Sequence, residues 1–414
     1  MSEEAVSQTD AQPVQFRIIV GSYEHNVLCL SLILNGQTPV FQPIFHFQAH
    51  TLSIQAMDIA RRYLVTGSND EQIKIYDLQK RKELGTLLEH VGSVTSLTFS
   101  NEGATLDEAN KNQVINSTSG KTGKWLLSGS ADGKIVIWRT KDWEVFGQLK
   151  GHKERINDIA IHPSGRVAIS VSDDKTIRLW NLMTAKKAAV LKMKGRDTLG
   201  ESGQYVKWSL DGKHFLVGLV NKILLYTTAT AKIAKKIKFT QKIMHFDTYK
   251  IDDTEYVVVG LGNGALEFYK IENLLRDAED EEQEEEDIDT VSFEPEFTLL
   301  GHTNRIKNFS IIYFKLSGKQ FLTSVSSDGK IVVWDLALRD QVAVYDTGER
   351  LTTVSLAPES VERFDTMKRR LEEAADIDDD SENETDGEEL KKMIKNKKKK
   401  TKKAKKTQVS VLLE

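Results

Sequence analysis

Between Lys124 and Leu182 the chain writes one pattern twice. Leu126-Leu127-Ser128-Gly129-Ser130-Ala131-Asp132-Gly133-Lys134-Ile135-Val136-Ile137-Trp138 is followed, beyond Gly151-His152, by Ala168-Ile169-Ser170-Val171-Ser172-Asp173-Asp174-Lys175-Thr176-Ile177-Arg178-Leu179-Trp180. Each copy is an apolar strand, a tight turn and a β-branched strand that ends in Trp. Such a unit cannot bury its apolar faces alone. Repetition therefore commits the chain to stacked neighbours that cover one another.

The pattern is the signature of a WD-type β-propeller blade. A search for the innermost strand, with apolar residues at i, i+3 and i+5, finds seven starts. Ile54/Met57/Ile59, Val94/Leu97/Phe99, Ile156/Ile159/Ile161, Ile306/Phe309/Ile311 and Leu351/Val354/Leu356 fit fully. Ile243/Phe246 fits with a polar Thr248, and Gly203/Val206/Trp208 is the weakest. Two further strands follow six of these starts, at Tyr63–Leu78, Lys124–Arg139, Arg166–Leu182, His214–Tyr226, Tyr256–Ile271 and Lys319–Leu336. Nothing suitable follows Leu351–Leu356. Its missing strands stand at the other end of the chain, at Phe16–Gly21 and Val27–Leu32. The expected architecture is an all-β, seven-bladed WD-repeat propeller over residues 14–358. Its C-terminal strand pairs with the N-terminal strands, so that no sheet edge is left open by an unclosed ring.

A second spacing recurs four times. Ser or Thr is followed four residues later by Asp and ten residues later by an aromatic, each set preceded by a His. The first set is His50, Thr66, Asp70 and Tyr76, and the second is His90, Ser128, Asp132 and Trp138. The third is His152, Ser170, Asp174 and Trp180, and the fourth is His302, Ser324, Asp328 and Trp334. Buried polar groups need partners, so these read as hydrogen-bond chains pinning the turn of a blade to the loop that leads into it, with the aromatic N–H or O–H at the end. A hydrolytic triad is the competing reading. Four copies inside sheets argue against it. The split blade and the blades at His214–Tyr226 and Tyr256–Ile271 lack the set and are expected to be less rigid. Gly260-Leu261-Gly262-Asn263-Gly264 reads as a turn between two strands, since no helix start follows it as a nucleotide loop requires.

Composition closes off other classes. One cysteine, Cys29, allows no internal disulfide, and no apolar run approaches a membrane span. Residues 1–13 are polar and acidic, unlike a secretory signal, and are expected to be disordered. The chain reads as a soluble intracellular monomer. It offers no paired carboxylates at a cleft, no metal-ligand cluster and no nucleophile beside a base; His162 next to Pro163 reads as a turn residue. No enzymatic activity and no cofactor are expected.

Two insertions, 101–123 and 272–293, leave on the same face in a four-stranded meander, and the second carries ten Asp or Glu within Asp277–Asp289. It reads as a solvated loop or a lure for a basic partner. On the opposite face, the residues just before the innermost strands are Ser53, Ser93, Arg155, Ser202, Lys242, Arg305 and Arg350. The four cations, Arg155, Lys242, Arg305 and Arg350, are candidates for contact with an acidic protein segment or a phosphate backbone. After Pro358 the composition shifts. A helix is expected over 359–376, and a disordered tail over 377–414, acidic and then lysine-rich. Lys391–Lys406 holds eleven lysines in sixteen residues. Among them Lys397, Lys398, Lys399, Lys400, Lys402, Lys403, Lys405 and Lys406 are candidates for nuclear targeting and for nonspecific RNA contact.

Particular strings narrow the family. Lys141-Asp142-Trp143-Glu144, Leu149-Lys150-Gly151-His152-Lys153, Ile161-His162-Pro163-Ser164-Gly165 and Asp174-Lys175-Thr176-Ile177-Arg178-Leu179-Trp180-Asn181-Leu182 resemble the p21-activated kinase-interacting WD-repeat proteins. The yeast member of that family is the "maintenance of killer" type. The resemblance continues through Val206-Lys207-Trp208-Ser209 and covers most of residues 16–356. It implies a non-catalytic scaffold of the nucleus and nucleolus that serves assembly of the large (60S) ribosomal subunit and rRNA maturation. The implied partners are the pre-60S particle and its assembly factors, with rRNA reached through the lysine tail. It also implies negative regulation of a p21-activated kinase as an alternative. The acidic loop at Asp277–Asp289 exceeds what the family suggests.

Overall fold

The computed structural model describes residues 14–361 apart from 36–37, 102–120, 122, 194, 276–289 and 315–316. Seven antiparallel sheets succeed one another. Blade 1 comprises Ile54–Ala60, Tyr63–Ser68, Ile73–Asp77 and Lys82–Leu87. Blades 2 and 3 repeat this from Val94–Phe99 to Glu144–Lys150 and from Ile156–Ile161 to Lys186–Lys192. Blade 4 runs from Tyr205–Trp208 to Ile233–Lys238, blade 5 from Ile243–Ile251 to Phe297–Leu300, and blade 6 from Ile306–Phe314 to Asp340–Asp346. Blade 7 joins the chain ends: Leu351–Pro358 pairs with Val14–Ser22, which pairs with Asn26–Leu34 and then Pro39–Gln48.

Six of the seven expected starts are the first residue of an innermost strand. The weak one, at Gly203, begins two residues later at Tyr205. The register explains the i, i+3, i+5 spacing. Strict alternation would place i, i+2 and i+4 on one face. Between i and i+2 the pairing shifts by one residue, at Ile54/Ala56, Val94/Ser96, Ile156/Asp158, Ile243/His245 and Ile306/Asn308. In blade 7 the pairing likewise skips Thr352, from Leu351 to Thr353. Each of these β-bulges adds one unpaired residue at i+1 and restores i, i+3 and i+5 to the core face.

The core is not one cluster but seven, each shared by two neighbouring blades. Leu127, Ile135 and Leu149 of blade 2 pack with Ile156, Ile159, Ala168 and Trp180 of blade 3. Equivalent clusters join blades 1 and 2, 3 and 4, 4 and 5, and 5 and 6. Blade 6 meets blade 7 through Phe321, Val333, Phe16 and Leu356, and blade 7 meets blade 1 through Ile19, Cys29, Ile54 and Leu64. Every blade thus buries both faces against neighbours, and closure comes from the blade built from both chain ends. Glu359 fastens that blade: Arg17 donates to its Oε1 at 2.9 Å and Ser31 to its Oε2 at 3.0 Å.

The second insertion differs from a plain loop at both ends. Ile271–Leu275 is a short helix that buries Ile271 and Leu274 in the core between blades 4 and 5. Thr290–Val291 adds a fifth strand, parallel, to the outer edge of blade 4. One insertion of blade 5 therefore straps blade 4. The acid run at Asp277–Asp289, the expected disordered segments 1–13 and 377–414, and the lysines from Lys391 to Lys406 lie outside the described residues. Of the expected helix over 359–376, the described part is a 3-10 turn at Glu359–Val361.

Candidate functional site

The four His sets show where the ring spends its buried polar groups. In blade 3, His152 Nε2 lies 2.8 Å from Ser170 Oγ, Nδ1 lies 2.9 Å from Asp174, and the Trp180 indole donates to Ser170 Oγ at 2.8 Å. Blade 2 repeats the arrangement. His90 lies 2.8 Å from Ser128 and 3.4 Å from Asp132, and the Trp138 indole donates to Ser128 Oγ at 2.8 Å. Blade 6 repeats it again. His302 lies 2.8 Å from Ser324 and 3.3 Å from Asp328, and the Trp334 indole donates to Ser324 Oγ at 2.9 Å. Trp334 also faces Gly301 so closely that a Cβ there would collide with its ring, which ties the indole to the residue before His302.

Blade 1 departs from the pattern at its aromatic. His50 joins Thr66 at 2.8 Å and Asp70 at 3.0 Å. The Tyr76 hydroxyl, expected to end the chain, faces Thr66 but makes no hydrogen bond of ordinary geometry. Trp138, Trp180 and Trp334 therefore close their chains with an indole N–H, and Tyr76 does not close its own. The aspartates also accept backbone N–H groups from both segments they join; Asp174, for example, accepts from Lys153 and Thr176.

The connectivity is that of a hydrolytic triad, yet the arrangement cannot perform that chemistry. Ser128, Ser170 and Ser324 are 0% exposed. Each oxygen already accepts an indole N–H while facing the imidazole, so no substrate carbonyl can reach it. Burial pushes all four imidazoles below their ordinary value, against the pull of the neighbouring aspartate. Burial disfavours the charge on Asp174 too, but hydrogen bonds from Thr176 and His152 outweigh it and hold the carboxyl at about 2. The sets are clamps between the turn and the loop of each blade.

Blades 4, 5 and 7 solve the same place differently. The residue opposite i+3 is Ser or Thr in the four clamped blades. It is Val217, Val259 and Val20 in the other three, all at most 1% exposed. Where no His arrives, an apolar side chain fills the space. Because an apolar filling can equal a polar network in stability, the missing sets give no physical reason for looser blades.

Around the axis the innermost strands carry a second polar system that sequence reasoning missed. Asp158 accepts from Ser96 on blade 2 and from the Val206 N–H on blade 4. Lys207 reaches Asp247 of blade 5 at 3.5 Å, and Asp58 accepts the Phe99 N–H and pairs with Lys121 at 2.6 Å. Burial pushes Asp158 up. Burial works against the charge on Lys207, but Asp247 and Asp158 prevail and raise it. His245, desolvated and facing Lys207, falls to about 3. These charges bond one blade to the next and are held by internal partners. Their signal in the sequence is a charge at i+2 or i+4 of an innermost strand.

The rim residues lie where the spacing puts them, immediately before the innermost strands of blades 3, 5, 6 and 7. Arg155, Lys242, Arg305 and Arg350 are all exposed. They do not form an even arc. Blade 4 interrupts it with Ser202, whose hydroxyl bonds Asp173. Near Arg350, Glu24 accepts its backbone N–H and Glu349 takes Asn26 and His46. Lys242 and Arg305 are joined by a third cation, Lys307, which the spacing search passed over because it falls on a bulge. Gly264, in the neighbouring turn, has φ +89, and a Cβ there would collide with the His302 carbonyl oxygen, so the turn can close against this rim only as glycine. Among the described residues no group of three or more His, Cys, Asp or Glu side chains could hold a metal ion. No helix among them is long and apolar enough to cross a membrane.

A seven-bladed propeller with recurring clamps agrees with what the chain resembles. The WD domain, G-beta repeat family matches residues 41–77, 109–139, 143–181 and 293–335. These matches end in the four blades that carry the His sets; of the three Val-filled blades they take in outermost-strand residues of blades 5 and 7 and none of blade 4. Protein MAK11 of Saccharomyces cerevisiae is 52% identical over 97% of this chain and 98% of its own length. The p21-activated protein kinase-interacting protein 1-like of Gallus gallus is 32% identical over 78% of this chain and 73% of its own. The Homo sapiens p21-activated protein kinase-interacting protein 1 is 31% identical over 80% and 72%. The chain belongs to the WD-repeat family of MAK11 and the p21-activated protein kinase-interacting proteins.

Proposed function

We propose that the protein is a non-catalytic scaffold in nucleolar assembly of the large ribosomal subunit and in rRNA maturation, holding assembly factors on precursor particles. The observation that carries the reading is the likeness to MAK11 along nearly all of both chains, beyond the propeller alone. The propeller supports it by presenting loops and rims on a closed ring while its four Ser/Thr-His-Asp sets are sealed. The lysine block is proposed as the nuclear address and as a nonspecific, salt-sensitive contact to rRNA. Depletion of the protein is expected to reduce newly made large-subunit rRNA and leave small-subunit rRNA unchanged, read by pulse labelling. Equal labelling of both before and after depletion would rule the scaffold role out.

A second reading is negative regulation of a p21-activated kinase by direct binding, favoured by the names of the vertebrate relatives. Their likeness covers 78% and 80% of the chain rather than nearly all of it. Binding of a kinase regulatory segment to residues 14–361 alone is the discriminating measurement.

A further inference from the structure

The bulge position gives the innermost strands of all blades but blade 4 one unpaired residue beside the rim, and most of these blades occupy it with a side chain that serves the ring. Gln55 donates to Ser53, and Thr95 to the carbonyls of Gly129 and Ile156. Asn157 donates to Asp173 and to the Gly203 carbonyl, and Thr352 to the Gly21 carbonyl. Met244 is apolar. Lys307 is the one charged residue among these bulges, and no described carboxylate forms an ion pair with it. Burial and the nearby charges of Arg305 and Lys242 all act to lower its affinity for a proton. Blade 6 therefore holds a half-buried cation on a bulge two residues past Arg305, within the field of both Arg305 and Lys242. Arg305 spends its Nε on Ser327, 3.2 Å away, and the rest of its guanidinium has no described partner. Three cations that repel one another gain most from an anion that bridges them.

The same face carries exposed aliphatic side chains. Six of the large apolar residues are 66% exposed or more; Leu88, Val91 and Leu199 lie in loops leading into innermost strands, and Leu300 ends the strand from which such a loop departs. Those loops serve blades 2, 4 and 6, interleaved with the cations of blades 3, 5 and 6. We infer that this face binds an acidic protein segment with aliphatic anchors, its carboxylates seated on Lys242, Arg305 and Lys307. A nucleic-acid strand fits less well. Base stacking needs aromatic platforms, and Tyr23 is the one exposed aromatic described on this face.

The inference rests on the scaffold reading, and its test separates the two. Photoreactive benzoylphenylalanine replaces Leu300 or Val91 in the full chain, and Leu338 on the opposite face as control, in cells whose own copy is removed. Adducts are identified by mass spectrometry, and gradient sedimentation with large-subunit precursors is followed in parallel. The expected result is one protein segment, acidic and containing Leu, Ile or Val, captured from both Leu300 and Val91 and absent from the control. Lys242→Glu with Arg305→Glu is expected to lower its yield about tenfold. RNA adducts alone, or no adduct above control while the chain still sediments with precursors, would overturn the inference and leave the scaffold reading standing. Loss of sedimentation by the unsubstituted chain would overturn both.

Discussion

A chain truncated after Asp346 is expected to lose cooperative unfolding and to aggregate, whereas one truncated after Val361 keeps a single sharp transition. The shorter chain lacks Leu351, Val354 and Leu356, which are 1%, 4% and 0% exposed. Fully burying a side chain of this size contributes roughly 2 kcal/mol, so the three together contribute about 6 kcal/mol. That equals much of the roughly 5–15 kcal/mol by which a native domain is stable. The loss also uncovers Val14–Ser22 as an unpaired edge and opens the interfaces of blade 7 with blades 6 and 1. The longer chain retains the strand and the Glu359 contacts to Arg17 and Ser31. Guanidinium unfolding and light scattering after size exclusion read the difference. Identical behaviour of the two chains would remove the claim that the two termini close the ring.

Ser170→Ala is expected to cost about 3 kcal/mol of stability, far more than the loss of one hydroxyl from a surface strand. The oxygen serves two buried partners, His152 and Trp180, and the replacement strands both. Each buried group left unpaired costs about 1–3 kcal/mol. The same clamps predict the pH dependence of the parent. The four imidazoles titrate lower in the folded ring than in the unfolded chain. Below about pH 6.5 the unfolded chain binds protons that the folded chain does not, so stability falls as pH drops from there. The aspartates are depressed as well, so their contribution is present above the ordinary carboxylate value. It is lost as pH falls toward the folded value, about 2 for Asp174. Both processes run in one direction, toward acid unfolding. Guanidinium midpoints measured from pH 7.5 to 5 should decline. A flat profile, or a Ser170→Ala cost under about 0.5 kcal/mol, would mean that the sets are not clamps.

The ring was legible because its period is written in residues that can do little else. Ile54, Val94, Ile156, Ile243, Ile306 and Leu351 mark strand starts since each opens an i, i+3, i+5 face. Gly203 opens its blade with no side chain, and the strand begins at Tyr205 instead. The His sets were legible from spacing because a buried Ser, His and Asp must find one another. Spacing also placed the aromatic that ends each set. It could not tell Tyr76 from Trp334, because only the longer indole brings its N–H onto the hydroxyl. Lys307 was not legible: one residue past an isoleucine, it reads as an outward position, and only the bulge shows that it faces Arg305 and Lys242. Asp58, Asp158, Lys207 and Asp247 were missed for a related reason. A charge at i+2 or i+4 of an innermost strand is visible in the sequence, but its partners sit on other blades, and no local spacing pairs them. The helix Ile271–Leu275 and the strand Thr290–Val291 flank an acid run, and such short elements owe their existence to blades 4 and 5 rather than to their own propensity.

Fold alone would support any docking role. The scaffold reading is narrower: a closed ring that stays with large-subunit precursors and catalyses nothing. Native affinity purification of the full chain from dividing cells, followed by probing of the bound RNA, tests it most directly. The account predicts enrichment of large-subunit rRNA precursors over small-subunit ones. Recovery of a kinase with no rRNA precursor, or of both precursor classes equally, would contradict it.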